Sequence, residues 1–397
     1  MAFALTVTLA GCSKQSPVAD GPVTEEDGGV VRNGGSVKTH VFGDELTWTI
    51  TKTYPLAQNH HHHVSSIMEI GDKLYMVRTY NTGYQATRTL SLLEGAEFVK
   101  IENYWIYEPL YTQDYILTAG AEYTKKTGVS NIITAYYDVK SGKSSVYEQE
   151  HTDLESPVSL TYGVQADNDL FLITKYNLDD PAYLWKWDDA TKKWMKILDR
   201  IPDSENWTIA VGWAKGLDGE FILQTQNRNI STPEENFYVF RDNSFQLLYK
   251  RTGQEHYMGI DGARIVAFDN RYLFVGDGAI KEITSPTTTK VYKAALTEDG
   301  LTMLSAQVHG NFLFIVEGNI QSNVPIVTHT KAYNLETNTL YTFSGLPTGP
   351  EQPGGWYFIP TDGGLDIILN KNVGVYATVG GNMAFDTYRY TSNFDWE

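Results

Sequence analysis

Four histidines stand in a row, His60, His61, His62 and His63, directly after Asn59. Imidazole nitrogens ligate zinc, copper, nickel and haem iron, so the run is a candidate site for a transition metal or a metal chelate. Neighbouring side chains of an extended chain point to opposite sides, which makes His61 and His63 the pair able to share one ion. The plainer reading of the same residues is a solvated His-rich loop. Other histidines are scattered at positions 40, 151, 256, 309 and 329, with no His-Glu-x-x-His spacing.

Aromatic residues form the second candidate set. The chain carries 26 Tyr, 16 Phe and 9 Trp. Trp105, Trp207, Tyr257 and Trp356 each stand just before a strand-like apolar segment, as the His run does. Tyr80, Tyr84, Tyr123 and Tyr176 follow such segments, with Tyr183 a little further on. Gathered at one rim, they make a platform for a flat, sugar-like or otherwise small ligand. Taken singly, each ring is as well explained by packing between sheets.

Catalytic motifs are sparse. There is no Gly-x-Ser-x-Gly elbow, no phosphate-cradling Gly loop and no Asp-x-Asp-x-Asp-Gly calcium loop. Asp179-Asp180 and Asp188-Asp189 read as solvated turn acids. Glycosidase carboxylates come from separate elements and leave no local motif, so a glycan-active hydrolase or lyase stays as a third reading.

The elements that position these residues are strands. From about residue 40 onward, apolar residues alternate or cluster in short runs broken by Gly, Asn, Asp and Pro. One run returns seven times: Leu74–Val77, Tyr115–Leu117, Leu170–Ile173, Phe221–Leu223, Tyr272–Val275, Phe312–Ile315 and Leu365–Leu369. The interval is about 40–55 residues, which is the period of propeller blades. Most copies are followed by an aromatic strand ending in Asp or Asn before a turn, as at Asp138, Asp188 and Asn334. Those side chains cap tight hairpins. The expected fold is all-β: a single β-propeller over 38–397, with seven blades and with six or eight as alternatives because 276–308 is irregular. Residues about 45–56 should supply a strand to the last blade and close the ring, since each small sheet needs neighbours on both faces. A pair of β-sandwiches is the competing fold.

The blade pattern resembles that of kelch-like and quinoprotein-like propellers, without the WD signature. A second resemblance lies at the start of the chain. Leu9-Ala10-Gly11-Cys12 resembles the bacterial lipobox, preceded by an apolar stretch too short to span a bilayer, which needs about 20 residues. The resemblance implies that 1–11 is a signal peptide and that Cys12 is lipidated. Its basic leader is missing, which places the true start upstream. Cys12 is the one cysteine, so no internal disulfide or Cys-based metal site exists. Residues 13–37 are polar, rich in Gly, Ser, Asp and Glu, and read as a flexible tether.

Anchor, leash and domain together resemble a propeller lipoprotein of the bacterial cell envelope. That resemblance implies an outer-membrane location, periplasmic or surface-facing, in a Gram-negative cell, and the outer face of the plasma membrane in a Gram-positive one. The net charge is −17, from 48 acidic against 31 basic residues. This disfavours nucleic acid and makes the lipid the means of membrane attachment. The leading functional expectation is a non-enzymatic binding lipoprotein that captures a small molecule, metal chelate or glycan at its rim for an uptake system. The alternative is an envelope scaffold that binds another protein.

Overall fold

A computed structural model describes the strands between Lys38 and Ser392 and many of the turns that join them. Residues 1–37, 393–397 and several connections, among them 102–108, 205–208 and 253–263, lie outside the described residues. Every regular element among the described residues is a strand. They run as successive four-stranded antiparallel meanders: 61–101, 110–151, 160–198, 209–252, 264–293 and 302–343. A seventh meander spans 349–392, and its fourth strand is N-terminal. Thr49–Tyr54 pairs antiparallel with Met383–Ser392, Thr49 opposite Thr391 and Tyr54 opposite Thr387. This is the β-propeller architecture.

Packing between the sheets explains the recurrent apolar run, which is the second strand of each meander. Its alternate residues face different neighbours. In the third meander, Leu170 and Leu172 pack against Leu117 and Tyr136 of the second. Phe171 and Ile173 turn the other way, onto Phe221 and Leu223 of the fourth. Ile222, between those two, meets Phe274 of the fifth. Leu313 and Ile315 of the sixth face Val275 of the fifth, while Phe312, Phe314 and Val316 face Trp356 and Phe358 of the seventh. The last meander also meets the first, through Ile359 and Ile368 against Met76. A strand covered on both faces has no polar side, so it reads as an unbroken apolar run. Each sheet packs on two neighbours, which a pair of layered sandwiches does not do.

Turn chemistry follows the sequence. Asp138 Oδ1 accepts the Ser141 N–H at 2.7 Å, Asp188 Oδ1 accepts that of Ala190 at 3.1 Å, and Asn334 Oδ1 accepts those of Glu336 and Thr337 at 2.9 and 2.8 Å. Two-residue hairpins at Asp242-Asn243 and Asp269-Asn270 have both residues at positive φ, 50° and 56°, then 47° and 59°. That is the mirror-image turn whose twist suits adjacent strands, and Asp and Asn tolerate it best.

Three features were not expected. The segment 276–308, read as irregular, holds the strands Ala279–Ser285, Thr288–Lys293 and Thr302–His309. Their alternation is obscured by Thr- and Lys-rich composition. The strand Lys38–Val41 adds in parallel to Thr339–Phe343, outside the sixth meander. The sixth and seventh meanders also join into one nine-stranded sheet where Ile326 and Val327 pair with Pro350 and Gly349.

Candidate functional site

The expected rim is the end of the molecule where chain enters each first strand and where second and third strands connect. Three candidates are placed at that end by register. The His run is strand rather than loop: His61 to His63 open the strand His61–Ile70, with His61 opposite Asn81, His62 opposite Tyr80 and His63 opposite Thr79. Tyr80 is opposite Thr87 on its other side, and Tyr123 is opposite Ser130 near the end of Tyr115–Thr124. Cys12, Tyr84, Trp105, Tyr176, Trp207 and Tyr257 lie outside the described residues.

Trp356 requires a correction. It was expected at the rim, yet it is only 2% exposed and sits inside the strand Gly349–Thr361, opposite Leu369. Its ring stacks on Phe358 at 6.2 Å, between the sixth and seventh meanders. The strand begins earlier than its Pro- and Gly-rich start implied, and this carries the ring into the core.

The rim end holds what sequence reading missed, a set of buried charges. Lys175 is 5% exposed at the end of the strand Asp169–Lys175, and its ammonium donates to the Ser204 carbonyl. Beside Ser204, Asp203 holds a left-handed backbone at φ 59°. Its carboxylate accepts the Asn236 amide N–H and the Tyr238 hydroxyl, each at 2.6 Å, which ties the exit of the third meander to the fourth. Burial, reinforced by that carboxylate, pushes the Tyr238 hydroxyl well above its ordinary pKa. On the fourth meander, Arg251 Nε lies 3.2 Å from Glu235 Oε2, both under a tenth exposed, with the guanidinium 5.4 Å from the Phe274 ring.

On the sixth meander, Glu317 is fully buried, and its Oε1 contacts both the Lys331 ammonium and His329 Nδ1, the latter at 3.1 Å. Its Oε2 has no hydrogen-bond partner among the described residues. Burying an ion costs several kcal/mol before pairing returns part of it, so such groups are weak evidence for stability. The signal in the sequence was weak: single charged residues interrupting otherwise apolar strands, as Glu317 does after Val316.

The opposite end, where first strands turn into second strands, holds a partly open cavity of about 520 Å³. Glu69, Tyr111, Gln113, Gln307, His309 and Tyr357 contribute polar groups to its wall, and Ile67, Leu74, Phe358 and Ile359 the apolar part. Glutamines tie the sheets together here. Gln113 Oε1 accepts the Gly71 N–H at 2.9 Å, from second meander to first. The Gln307 amide donates to the Trp356 carbonyl and accepts the Phe358 N–H at 3.3 Å, from sixth to seventh. Gln165 Oε1 accepts the Tyr111 N–H at 3.3 Å, from third to second. Burial lowers the His309 pKa below its ordinary value, and its ring meets Phe314 edge-on at 6.1 Å.

No family model matches the chain, and no curated protein matches it. Solved structures similar to it include the β-propeller domain of the Trilobed protease from Pyrococcus furiosus, at 11% identity and a TM-score of 0.45, covering 85% of this chain and 99% of that one. An acylaminoacyl peptidase shows 10% identity and a TM-score of 0.45, over 85% of this chain and 53% of that one, so this chain spans about half of that enzyme's length. The AfRom2 CNH domain shows 8% identity and a TM-score of 0.43, over 88% and 100%. At such identities nothing of those proteins' activities passes to this chain.

Proposed function

We propose that this protein is a lipid-anchored binding protein of the bacterial cell envelope, a closed seven-bladed propeller that captures a small polar molecule, metal chelate or glycan on its rim. The observation that carries this reading is the set of buried charges at that end, on three different meanders: Lys175, Glu235 with Arg251, and Glu317 with Lys331 and His329. Polar groups held in a poorly solvated setting discriminate between ligands, because a ligand that leaves them unpaired forfeits their desolvation cost. The packing of Met76 on Ile368 supports closure of the ring, and the pairing of Thr49–Tyr54 supports an N-terminal strand as its fastener. The lipobox-like residues up to Cys12 and the polar 13–37 stretch support a tethered domain beyond the cytoplasmic membrane, and the His run adds metal-chelating capacity to the rim.

The test is a titration of the purified chain with a panel of oligosaccharides and ferric or cupric chelates, read by tryptophan fluorescence. A saturable response that is lost in Trp105→Phe and Trp207→Phe supports capture at the rim. The reading is overturned by an unresponsive panel together with a stably co-purifying envelope protein, which is the behaviour of a scaffold. A response indifferent to both substitutions overturns the rim as the site.

A further inference from the structure

We infer that the cavity at the end where first strands turn into second strands is a second binding site, which takes a small organic cation: an amine or quaternary ammonium on an apolar or aromatic body. The inference is independent of the rim, because the two sites lie at opposite ends of the strands. A volume of about 520 Å³ falls within the range of small-molecule pockets.

Charge selects the ligand class. Among the described residues that line the cavity, Glu69 is the one formally charged side chain, and no Lys or Arg is among them. Glu69 is solvent-exposed, so it can meet a ligand without first being stripped of a protein partner's packing. Burial disfavours the protonated form of His309, so its ring is a poor source of positive charge there. An anion entering this wall meets Glu69 with no local cation to offset it, in a chain whose net charge is already −17. A cation gains the carboxylate.

The rings supply the rest. Tyr111 and Tyr357 contribute π surface to the wall, and an ammonium near aromatic faces gains about 0.5–2 kcal/mol. Ile67, Leu74 and Ile359 offer apolar area for the body of the ligand. Gln113 spends its carbonyl oxygen on the Gly71 N–H, which leaves its amide hydrogens as the donor that would orient a ligand hydroxyl or carbonyl.

The probes are phenethylammonium, phenylpropionate and phenylpropanol, which share a ring and a short chain and differ in charge. Calorimetry on the full chain should show phenethylammonium binding at least about tenfold more tightly than either of the others. In Glu69→Gln the three affinities should fall within about threefold of one another. Glu69 is on the surface, so this variant should fold normally and keep its response to any rim ligand. Equal affinities in the wild-type chain, a preference for phenylpropionate, no binding of phenethylammonium, or a preference that survives Glu69→Gln would each overturn the inference.

Discussion

The side chain of Gln149 pairs with the backbone of Trp194 as another strand would: its Nε2 donates to the Trp194 carbonyl at 2.8 Å, and its Oε1 accepts the Trp194 N–H at 2.7 Å. The two residues lie on the outer strands of the second and third meanders, so one amide closes a two-bond ring between sheets that share no ladder. Each bond is worth about 1 kcal/mol net. Gln149→Ala should therefore lower stability by about 1–3 kcal/mol, and Gln149→Glu by at least as much, because a carboxylate cannot donate to the carbonyl. Urea denaturation followed by tryptophan fluorescence checks both.

Trp194 and Trp356 offer a matched comparison. They are equally buried, at 1% and 2% exposed. Trp194 Nε1 donates to the Thr134 hydroxyl at 2.8 Å, whereas Trp356 Nε1 has no acceptor among the described residues. Replacement by Phe removes similar volume at both sites, but only at Trp194 does it break a buried bond and orphan a buried hydroxyl. Trp194→Phe should cost about 1–3 kcal/mol more than Trp356→Phe. Equal losses in denaturant titrations would mean that the Thr134 bond contributes nothing.

The Glu317–Lys331 contact predicts strong non-additivity. Lys331→Met leaves a fully buried carboxylate without its closest counter-charge and should cost about 3–5 kcal/mol. Pairing it with Glu317→Gln removes that charge as well, so the double variant should recover much of the loss. A double-mutant cycle measures this directly. Additive losses would show that the two side chains are not energetically linked.

Tyr272 ties alkaline stability to one hydrogen bond. Burial, then the bond its hydroxyl donates to Glu220, pushes its pKa up to about 12 from an ordinary value near 10. The folded state thus keeps a proton that the unfolded state loses first. The stability this contributes is whole below about pH 10 and drains away as pH rises through about 12. Tyr272→Phe should lower stability at neutral pH and flatten the alkaline limb of the stability curve over that window. Chemical denaturation at a series of pH values, alongside tyrosinate absorbance, reads both effects.

Lipidation at Cys12 is the last expectation. In a cell with an intact leader, the wild-type chain should take up a radiolabelled or clickable palmitate and partition into detergent. Cys12→Ser should do neither, while its isolated domain keeps the same far-ultraviolet circular dichroism. Equal partitioning of both chains would remove the anchor from the proposal.

Much of the architecture was legible because strands covered on both faces leave an unmistakable trace. The runs at 170–173, 221–223 and 312–315 contain no polar residue, and each proved to be a second strand with a neighbouring sheet on either side. The Asp and Asn turn caps were legible for the same kind of reason, since Asp138 and Asn334 act on backbone groups two or three residues away. The pairing of Thr49–Tyr54 with the last meander followed from the need of each small sheet for neighbours on both faces.

Tertiary structure alone decided which neighbour each side chain meets. Alternation tells that Phe171 and Leu172 face opposite ways, but not that one finds Phe221 and the other Leu117. Trp356 looked like a rim residue because aromatic type and strand-entry position cannot report depth, and only the sixth sheet laid against it makes it core. The cavity was invisible for a stronger reason. Glu69, Gln113 and His309 lie up to 240 residues apart and share a wall only because separate meanders bring their first strands together. Local patterns record forces between near neighbours in the chain, and a cavity is made where distant ones converge.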